Sequence, residues 1–289
     1  MKLVKSSFQI LEQSPNIEGI YKIIELAGRT CYRSEDKITE DSYKEFASRM
    51  IKSGHRSVLE HGSVYLKLPY EVFDNIRLGD PFKDPYSPHW VKYFIDYNND
   101  IVYVSTNYRW IVENCKEEWL DKYLCEPTNY HYKRITVKFI LPISISREFC
   151  RHRVFSFSEM STRYCNFSRD KFGKEITFIA PSWMDNTSFE NVDNYLHRRE
   201  FDMSFGSINL VDALSQCELC YLSMINKGLK PQQAREVLPL CTKTELVMTG
   251  FAEDWEGFFE LRTAESAHPQ ARELAIPLQE EFKLRKYIR

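Results

Sequence analysis

Cationic and hydroxyl side chains are concentrated between residues 149 and 167, in the stretch FCRHRVFSFSEMSTRYCNF. This stretch contains Arg151, His152, Arg153 and Arg163 around one acid, Glu159, with serines between them. Guanidinium groups make paired hydrogen bonds to phosphate oxygens or to the edge of a planar base, and hydroxyl groups add further donors. The stretch therefore predicts a site for an anionic ligand that carries a ring.

The residues from Glu159 to Arg163 predict one side of this site. Glu159, Ser161 and Arg163 lie two positions apart, and alternate residues of an extended strand point to the same side. We therefore expect all three side chains to face one ligand. Ser161 can also be interpreted as a nucleophile, but it lies in neither a nucleophile elbow nor another base-activated arrangement. Ligand binding is the better interpretation of Ser161.

Two more arginines stand among apolar residues, Arg235 in QQAREVLPL and Arg262 in FFELRT. A buried charge without a partner is very costly, so each needs an acidic side chain or an anionic ligand. On composition alone the plainer alternative is favoured, in which arginine-rich stretches form solvated faces or intramolecular ion-pair networks.

Hydrophobic periodicity predicts the helices that position these residues. The predicted helices cover SPNIEGIYKIIELAGR with Gly28 as its stop, TEDSYKEFASRMIKSGH closed by Gly54, SISREFCRHRVF, residues 204–227, EDWEGFFELR and a segment from about Pro269. Ser57 and Glu60 have the spacing of a capping box, which predicts a short helical turn between the second helix and the next strand.

Alternating residues predict strands over SVYLKL and RITVKFILP, and we expect these two strands to pair. ITFIAPSW predicts a further short strand. The apolar segment TELVMTGF fits either a strand or a helix. Residues from about 79 to 133 are polar, aromatic and irregular around one predicted helix, so we interpret them as an elaboration inserted into a single domain of residues 1–289. The predicted fold class is α+β, with helices enclosing a central antiparallel sheet.

Composition excludes several classes of protein. The net charge of −2 and the pI near 6.4 argue against a protein that coats nucleic acid. There is no long apolar run and no apolar signal-peptide core, so we expect a cytoplasmic protein without a membrane segment. The cysteines lack disulfide or zinc spacing, and Cys217 and Cys220 fit the apolar stripe of a helix better than a metal site.

Arg151, His152 and Arg153, then seven residues, then Ser161 form the RHR-x7-S pattern of the flavin-dependent thymidylate synthases, also called thymidylate synthase complementing proteins. SGHRSVLEHGSVYLKL, QQAREVLPL and TGFAEDWEGFFELRTAESAHPQ resemble three further blocks of that family, in the same order. The resemblance spans most of residues 24–282.

The resemblance implies reductive methylation of dUMP to dTMP, with methylenetetrahydrofolate as the one-carbon donor. It implies reduced FAD as the hydride source and NADPH as the reductant of the flavin. It also implies a homotetramer whose active sites are shared between subunits. It implies Arg262 as the catalytic residue, beside the pyrimidine carbonyl. The implied nucleotide-binding residues are Glu148, Arg151, Glu159, Met160, Ser161, Thr162, Arg163, Arg235 and Arg262. The implied flavin-binding residues are His55, Ser57, Glu60, Arg151, His152, Arg153, Ser158, Glu159 and His268.

Two other functions remain open at this point. Glu148 stands where some relatives carry a base-reading Gln, so one-carbon transfer or hydroxymethylation could act on a different pyrimidine nucleotide. The arginines and aromatic rings could also belong to an RNA- or single-strand-binding module, although the near-zero net charge argues against it.

Overall fold

The computed structural model describes residues 1–79, 90–114, 116–198 and 202–288. The strands are β1 (Lys2–Val4), β2 (Ser7–Leu11), β3 (Ser63–Pro69), β4 (Lys92–Asp96), β5 (Ile101–Asn107), β6 (Arg134–Pro142), β7 (Ser156–Glu159), β8 (Thr177–Ile179) and β9 (Lys243–Phe251). The α-helices are α1 (Ile17–Thr30), α2 (Ser42–Lys52), α3 (Tyr70–Gly79), α4 (Tyr108–Glu113), α5 (Glu118–Tyr123), α6 (Ile143–Phe149), α7 (Asn186–Glu190), α8 (Val192–Arg198), α9 (Phe205–Asn226), α10 (Pro231–Ala234), α11 (Ala252–Arg262) and α12 (Pro269–Leu284). Mixed helices and antiparallel sheets confirm the predicted α+β class at this level.

A four-stranded antiparallel sheet, in the order β2-β6-β9-β7, carries the predicted site residues on and around it. One face is apolar, because alternate residues such as Phe139 and Met248 point into a core with Trp255, Phe258 and Leu278 of α11 and α12. The stretch TELVMTGF is the strand β9. It is buried along nearly all its length between β6 and β7, so it lacks the alternation that distinguishes a strand from a buried helix.

The opposite face of this sheet is polar, and α1 and the 3-10 helix at 56–61 pack against it. Thr136, Lys138, Ser158, Glu245 and Thr249 point to this side, and we call them the polar layer. Buried polar groups need hydrogen-bond partners, so each residue of this layer constrains its neighbours.

A second antiparallel sheet has the order β3-β5-β4. The expected pairing of SVYLKL with RITVKFILP is therefore wrong: β3 pairs with β5, whereas β6 pairs with β2 and β9. The predicted elaboration at about 79–133 supplies β4, β5 and two short helices rather than one helix in an irregular segment. Residues 80–89 and Cys115, which belong to that segment, lie outside the described residues.

Two local predictions near the first helices also need correction. Gly28 does not end α1; it lies inside the helix, where an added Cβ would be 2.5 Å from the Phe46 ring. Ser57 and Glu60 form no capping box, because the Glu60 carboxylate is engaged elsewhere. Gly54 does close the segment after α2, with a positive φ of 75°.

The helix predicted over SISREFCRHRVF is shorter than expected, because α6 ends at Phe149 and Arg151, His152 and Arg153 lie in the turn that follows it. The remaining predicted elements are present. The helix over 204–227 is α9, the C-terminal helix begins at Pro269, and β8 pairs in parallel with β1. Cys217 and Cys220 are half-buried on α9. Among the described residues, no helix combines the length and apolar character that crossing a membrane requires.

Candidate functional site

A pocket of about 600 Å³ lies at the edge of the four-stranded sheet, between the end of β7, α6 and residues 235–240. Six residues named from the sequence line it together: Glu159, Met160, Ser161, Thr162, Arg163 and Arg235. Arg147 of α6 also lines it, and the sequence reasoning missed this residue although it lies one position before Glu148. We call this space the anion pocket.

The chain turns sharply where β7 enters the anion pocket. The main-chain N–H of Met160 donates to the Glu245 carbonyl at 2.8 Å, and that of Ser161 donates to the Cys31 carbonyl at 2.9 Å. A turn then begins, since the N–H of Tyr164 donates to the Ser161 carbonyl at 3.2 Å. The expectation of one extended strand from Glu159 to Arg163 is therefore wrong beyond Glu159, yet the turn keeps these residues around one pocket.

The charges of the anion pocket are only partly compensated. Arg147 and Arg163 form no ion pair with any residue that the structure describes, and Arg235 lies 3.8 Å from Glu236. The Arg235 side chain is 39% exposed, so the expectation of an arginine buried on an apolar face is wrong. The acid Glu159 accepts a hydrogen bond from Ser146 at 2.6 Å instead of pairing with these cations. The pocket can therefore receive an anion.

Arg262, at the end of α11, belongs to a separate cluster with two residues near α6. Its Nη1 donates to the Glu148 carboxylate at 2.9 Å, its Nη2 to the Glu148 carbonyl at 2.7 Å, and its Nε to Nε2 of His152 at 2.9 Å. Burial and the adjacent Arg262 lower the pKa of His152 to about 4, so the ring is neutral near pH 7. The cluster holds one guanidinium in a fixed orientation.

The remaining residues named for a flavin lie in several places. His55 and Ser57 are exposed after α2, and Arg151 and Arg153 are exposed after α6. Neither of these arginines forms an ion pair within the described part of the chain. His268 caps α12 by accepting the Gln270 N–H at 3.2 Å.

Glu60 and Ser158 are buried on the polar side of the sheet. Glu60 accepts hydrogen bonds from Arg109 of α4 at 2.7 Å and from Ser156 at 2.7 Å. Ser158 bonds to Nε2 of His61 at 3.0 Å. Because neighbouring residues of β7 point to opposite faces, Ser158 and Glu159 lie on different sides of the sheet.

His61 is a buried connector that sequence reasoning missed, although it directly follows Glu60. Its Nδ1 lies 2.8 Å from the hydroxyl of Thr249, which in turn lies 2.9 Å from the hydroxyl of Thr136. Burial, together with the nearby charge of Arg134, lowers the pKa of His61 to about 3. A neutral imidazole therefore ties the 3-10 helix at 56–61 to β6, β7 and β9.

Glu245 is the acid of the polar layer, and three cations pair with its carboxylate. Lys138 and Lys243 lie 2.7 and 2.5 Å from its carboxylate oxygens, and Arg33 pairs with it as well. Burial alone would raise its pKa, but Lys243 and Lys138 lower the pKa to about 2. Glu245 thus stays ionised and anchors the turn after α1 to β9.

Comparison with known proteins defines the class to which this fold and site belong. The model of the family described as thymidylate synthase complementing protein matches residues 128–285, more than half of the chain. The chain belongs to this family. β3, β4, β5 and the residues of the first block precede the matched span.

Several relatives carry the name flavin-dependent thymidylate synthase, and three of them illustrate the similarity. The protein of Pyrococcus furiosus is 27% identical over 184 residues, 61% of this chain and 68% of the relative. That of Geobacter sulfurreducens is 28% identical over 46% of this chain and 49% of the relative, and that of Corynebacterium aurimucosum is 31% identical over 46% and 51%. The chain therefore matches about half the length of the last two relatives.

Proposed function

We propose that this chain catalyses the reductive methylation of dUMP to dTMP, with methylenetetrahydrofolate as the one-carbon donor. FAD, when bound and reduced by NADPH, supplies the hydride. Family membership and the names of the relatives support this proposal.

The observation that carries the proposal is the anion pocket. It joins Ser161 and Arg163 to Arg235 and Arg147, which come from distant parts of the chain. Phosphate oxygens accept several hydrogen bonds from guanidinium and hydroxyl donors at once, so the phosphate of dUMP would be held there. The N–H groups of Met160 and Ser161 already donate within the chain, which leaves the Ser161 hydroxyl, the hydroxyl and main-chain N–H of Thr162, and the arginines as donors.

The donor set also fits a flavin dinucleotide. Arg151 and Arg153 are exposed and have no ion-pair partner among the described residues, and a diphosphate needs such donors. We propose that they hold it together with His55 and Ser57. Glu60, fixed by Arg109, would offer a carboxylate oxygen to hydroxyl groups of the cofactor.

Arg262 is the proposed catalytic residue. Glu148 and His152 hold its guanidinium in place before any ligand binds, which is the condition for preorganised electrostatic stabilisation. Its charge would stabilise the negative charge that develops on the pyrimidine ring when carbon 5 becomes nucleophilic. Arg262→Ala should retain FAD and lose turnover; normal turnover would contradict this role.

We further propose a homotetramer in which neighbouring subunits complete each active site. The residues named for one site divide between the anion pocket, the Arg262 cluster and the exposed segments after α2 and α6. Mixing an Arg163→Ala chain with an Arg262→Ala chain should restore some activity if Arg163 serves a neighbouring subunit. Complete inactivity of confirmed mixed oligomers would contradict the sharing.

The decisive test of the activity is optical. The purified protein should bind FAD, and under anaerobic conditions the reduced flavin should reoxidise only when dUMP and methylenetetrahydrofolate are both present. Ser161→Ala and Arg235→Gln should weaken dUMP binding about tenfold or more, because each removes a phosphate donor, whereas Arg198→Gln on the surface of α8 should not. Absence of FAD affinity would reject the proposal and favour the nucleic-acid-binding alternative.

A second pyrimidine substrate is tested in the same assay. Glu148 is already bound to Arg262, so its carboxylate is fixed beside the proposed base position. When dUMP and dCMP are supplied separately, mass spectrometry of the products identifies the base that accepts the carbon. If only dCMP yields a product, dCMP would replace dUMP as the proposed substrate.

A further inference from the structure

A second pocket, of about 620 Å³, lies where three distant segments of the chain meet. They are residues 29–37 at the end of α1, residues 46–55 around the end of α2, and residues 169–171. Its wall carries five basic side chains: Arg29, Lys37, Arg49, Arg169 and Lys171. We call this space the basic pocket.

Most of this positive charge forms no ion pair within the described part of the chain. Arg29 pairs with Glu25 at 2.7 Å, but the other four basic side chains form no ion pair with any residue described by the structure. Asp36 is the single acid of the pocket wall. Like charges gathered around one concave space repel each other and attract anions, so the basic pocket favours a ligand with several negative charges.

Three of these cations are held in place by contacts within the protein. The guanidinium of Arg49 lies 5.1 Å from the centre of the Phe46 ring, and that of Arg29 lies 5.2 Å from it. The Lys171 ammonium donates to the carbonyls of Tyr32 at 3.0 Å and Arg33 at 2.9 Å. Since an ammonium has three donors, one remains for a ligand. Such fixed donors reduce the entropy lost on binding.

The basic pocket is connected to the proposed active site. Tyr32 in its wall is 45% exposed, and its ring lies 5.4 Å from that of Tyr164, the residue after Arg163. The Cys31 carbonyl beside it accepts the Ser161 N–H. His55, proposed above to contact the flavin, also lines the basic pocket. A ligand that reacts near the flavin could therefore extend an anionic tail into this space.

We propose that the basic pocket binds the polyanionic tail of a co-substrate, an inference that rests on the proposed function. Two co-substrates of that reaction carry such a tail: the phosphorylated end of NADPH and the glutamate end of the folate. Both present two or more anionic groups linked to a ring system, which matches unpaired cations beside the Tyr32 and Phe46 rings.

Direct binding to the full chain tests the inference without turnover. The probes are adenosine 2′,5′-bisphosphate for the reductant and γ-linked triglutamate for the folate, each titrated calorimetrically. The pocket variant is Arg49→Gln with Arg169→Gln. The control variant, Lys44→Gln with Lys122→Gln, removes the same charge from exposed positions outside the pocket.

At least one probe should bind the unaltered chain, and the pocket variant should bind it about tenfold or more weakly, since two charge-assisted contacts are lost. The control should retain its affinity within about twofold. The probe that responds identifies the co-substrate. Failure of both probes to bind, or equal loss in both variants, would overturn the inference.

Titration of the same variants with FAD and dUMP separates this inference from the proposed function. dUMP affinity should be unchanged in the pocket variant, because the anion pocket is lined by other residues. A chain that binds a probe through the basic pocket but neither FAD nor dUMP would reject the proposed function and leave a polyanion site. A chain that binds FAD and dUMP but no probe would reject only the basic-pocket inference.

Discussion

Arg262 holds Glu148 at two points, the carboxylate at 2.9 Å and the main-chain carbonyl at 2.7 Å, so α6 and the end of α11 are joined by one guanidinium. The third donor of Arg262 reaches His152. Because Nε2 of His152 accepts this hydrogen bond, the proton of the neutral ring lies on Nδ1. The proposed catalytic charge is thus oriented by protein groups alone.

Removing this charge should change the titration of His152. Burial and Arg262 together lower the pKa of His152 to about 4, so Arg262→Gln should raise this pKa, with burial still opposing protonation. Histidine NMR of the folded protein measures the change, and His152→Gln assigns the signal. An unaltered pKa would show that burial alone is responsible.

Buried histidine should make the protein less stable in mild acid. The folded-state pKa of His61 is about 3, below its ordinary value of 6.5, so between these pH values the unfolded chain binds the proton and the folded chain does not. Stability conferred by neutral His61 is present above pH 6.5 and is lost as the pH falls toward 3, by up to about 1.4 kcal/mol per pH unit.

Urea unfolding between pH 7.5 and 4.5 measures this slope. His61→Gln should reduce the slope, whereas His197→Gln, on the exposed end of α8, should leave it unchanged. Glu245 does not interfere in this range. Its folded-state pKa of about 2 is below the ordinary value of 4.5, so its contribution is lost only as the pH falls from 4.5 toward 2. An unchanged slope in His61→Gln would contradict the assignment.

Two glycines in helices should respond oppositely to alanine. Gly28→Ala places a Cβ 2.5 Å from the Phe46 ring, a clash that should destabilise the protein by about 1–3 kcal/mol. Gly257 in α11 has open space around its Cβ position, so Gly257→Ala should stabilise the protein by about 0.5–1 kcal/mol. Thermal or urea unfolding compares the two, and equal effects would disprove this packing argument.

The contact between Arg109 and Glu60 should couple the inserted segment to the polar side of the sheet. Arg109→Ala leaves the buried Glu60 carboxylate with Ser156 as its remaining side-chain donor among the described residues, which should cost about 1–3 kcal/mol of folding free energy. Unfolding of Arg109→Ala, Glu60→Gln and the double variant gives the coupling energy.

Additive losses in that cycle would mean that the two side chains do not stabilise each other. Lys122→Ala is the matched control, because this side chain is 59% exposed and lies 3.7 Å from Glu118. Its loss should cost less than about 0.5 kcal/mol.

The sequence alone determined the helices with clear periodicity and the donor groups of the candidate site. The spacing in α1, α2, α9 and α12 fixes which side of each helix is apolar, and the RHR-x7-S pattern is local. The residues of this pattern carry guanidinium, imidazole and hydroxyl groups, which are hydrogen-bond donors in any fold. The grouping of Glu159, Ser161 and Arg163 could be predicted because these residues are close in the chain, although a turn and not an extended strand brings them together.

The tertiary structure decided which distant groups meet. Three examples join residues that lie far apart in the chain or on separate elements: the pairing of β3 with β5, the ion pair of Arg262 with Glu148, and the position of Arg147 in the anion pocket. Local propensity does not encode such partners, because strand pairing and burial depend on the free energy of the whole packed arrangement. The same holds for Ser158 and Glu159, neighbours in sequence that the pleat of β7 places on opposite faces of the sheet.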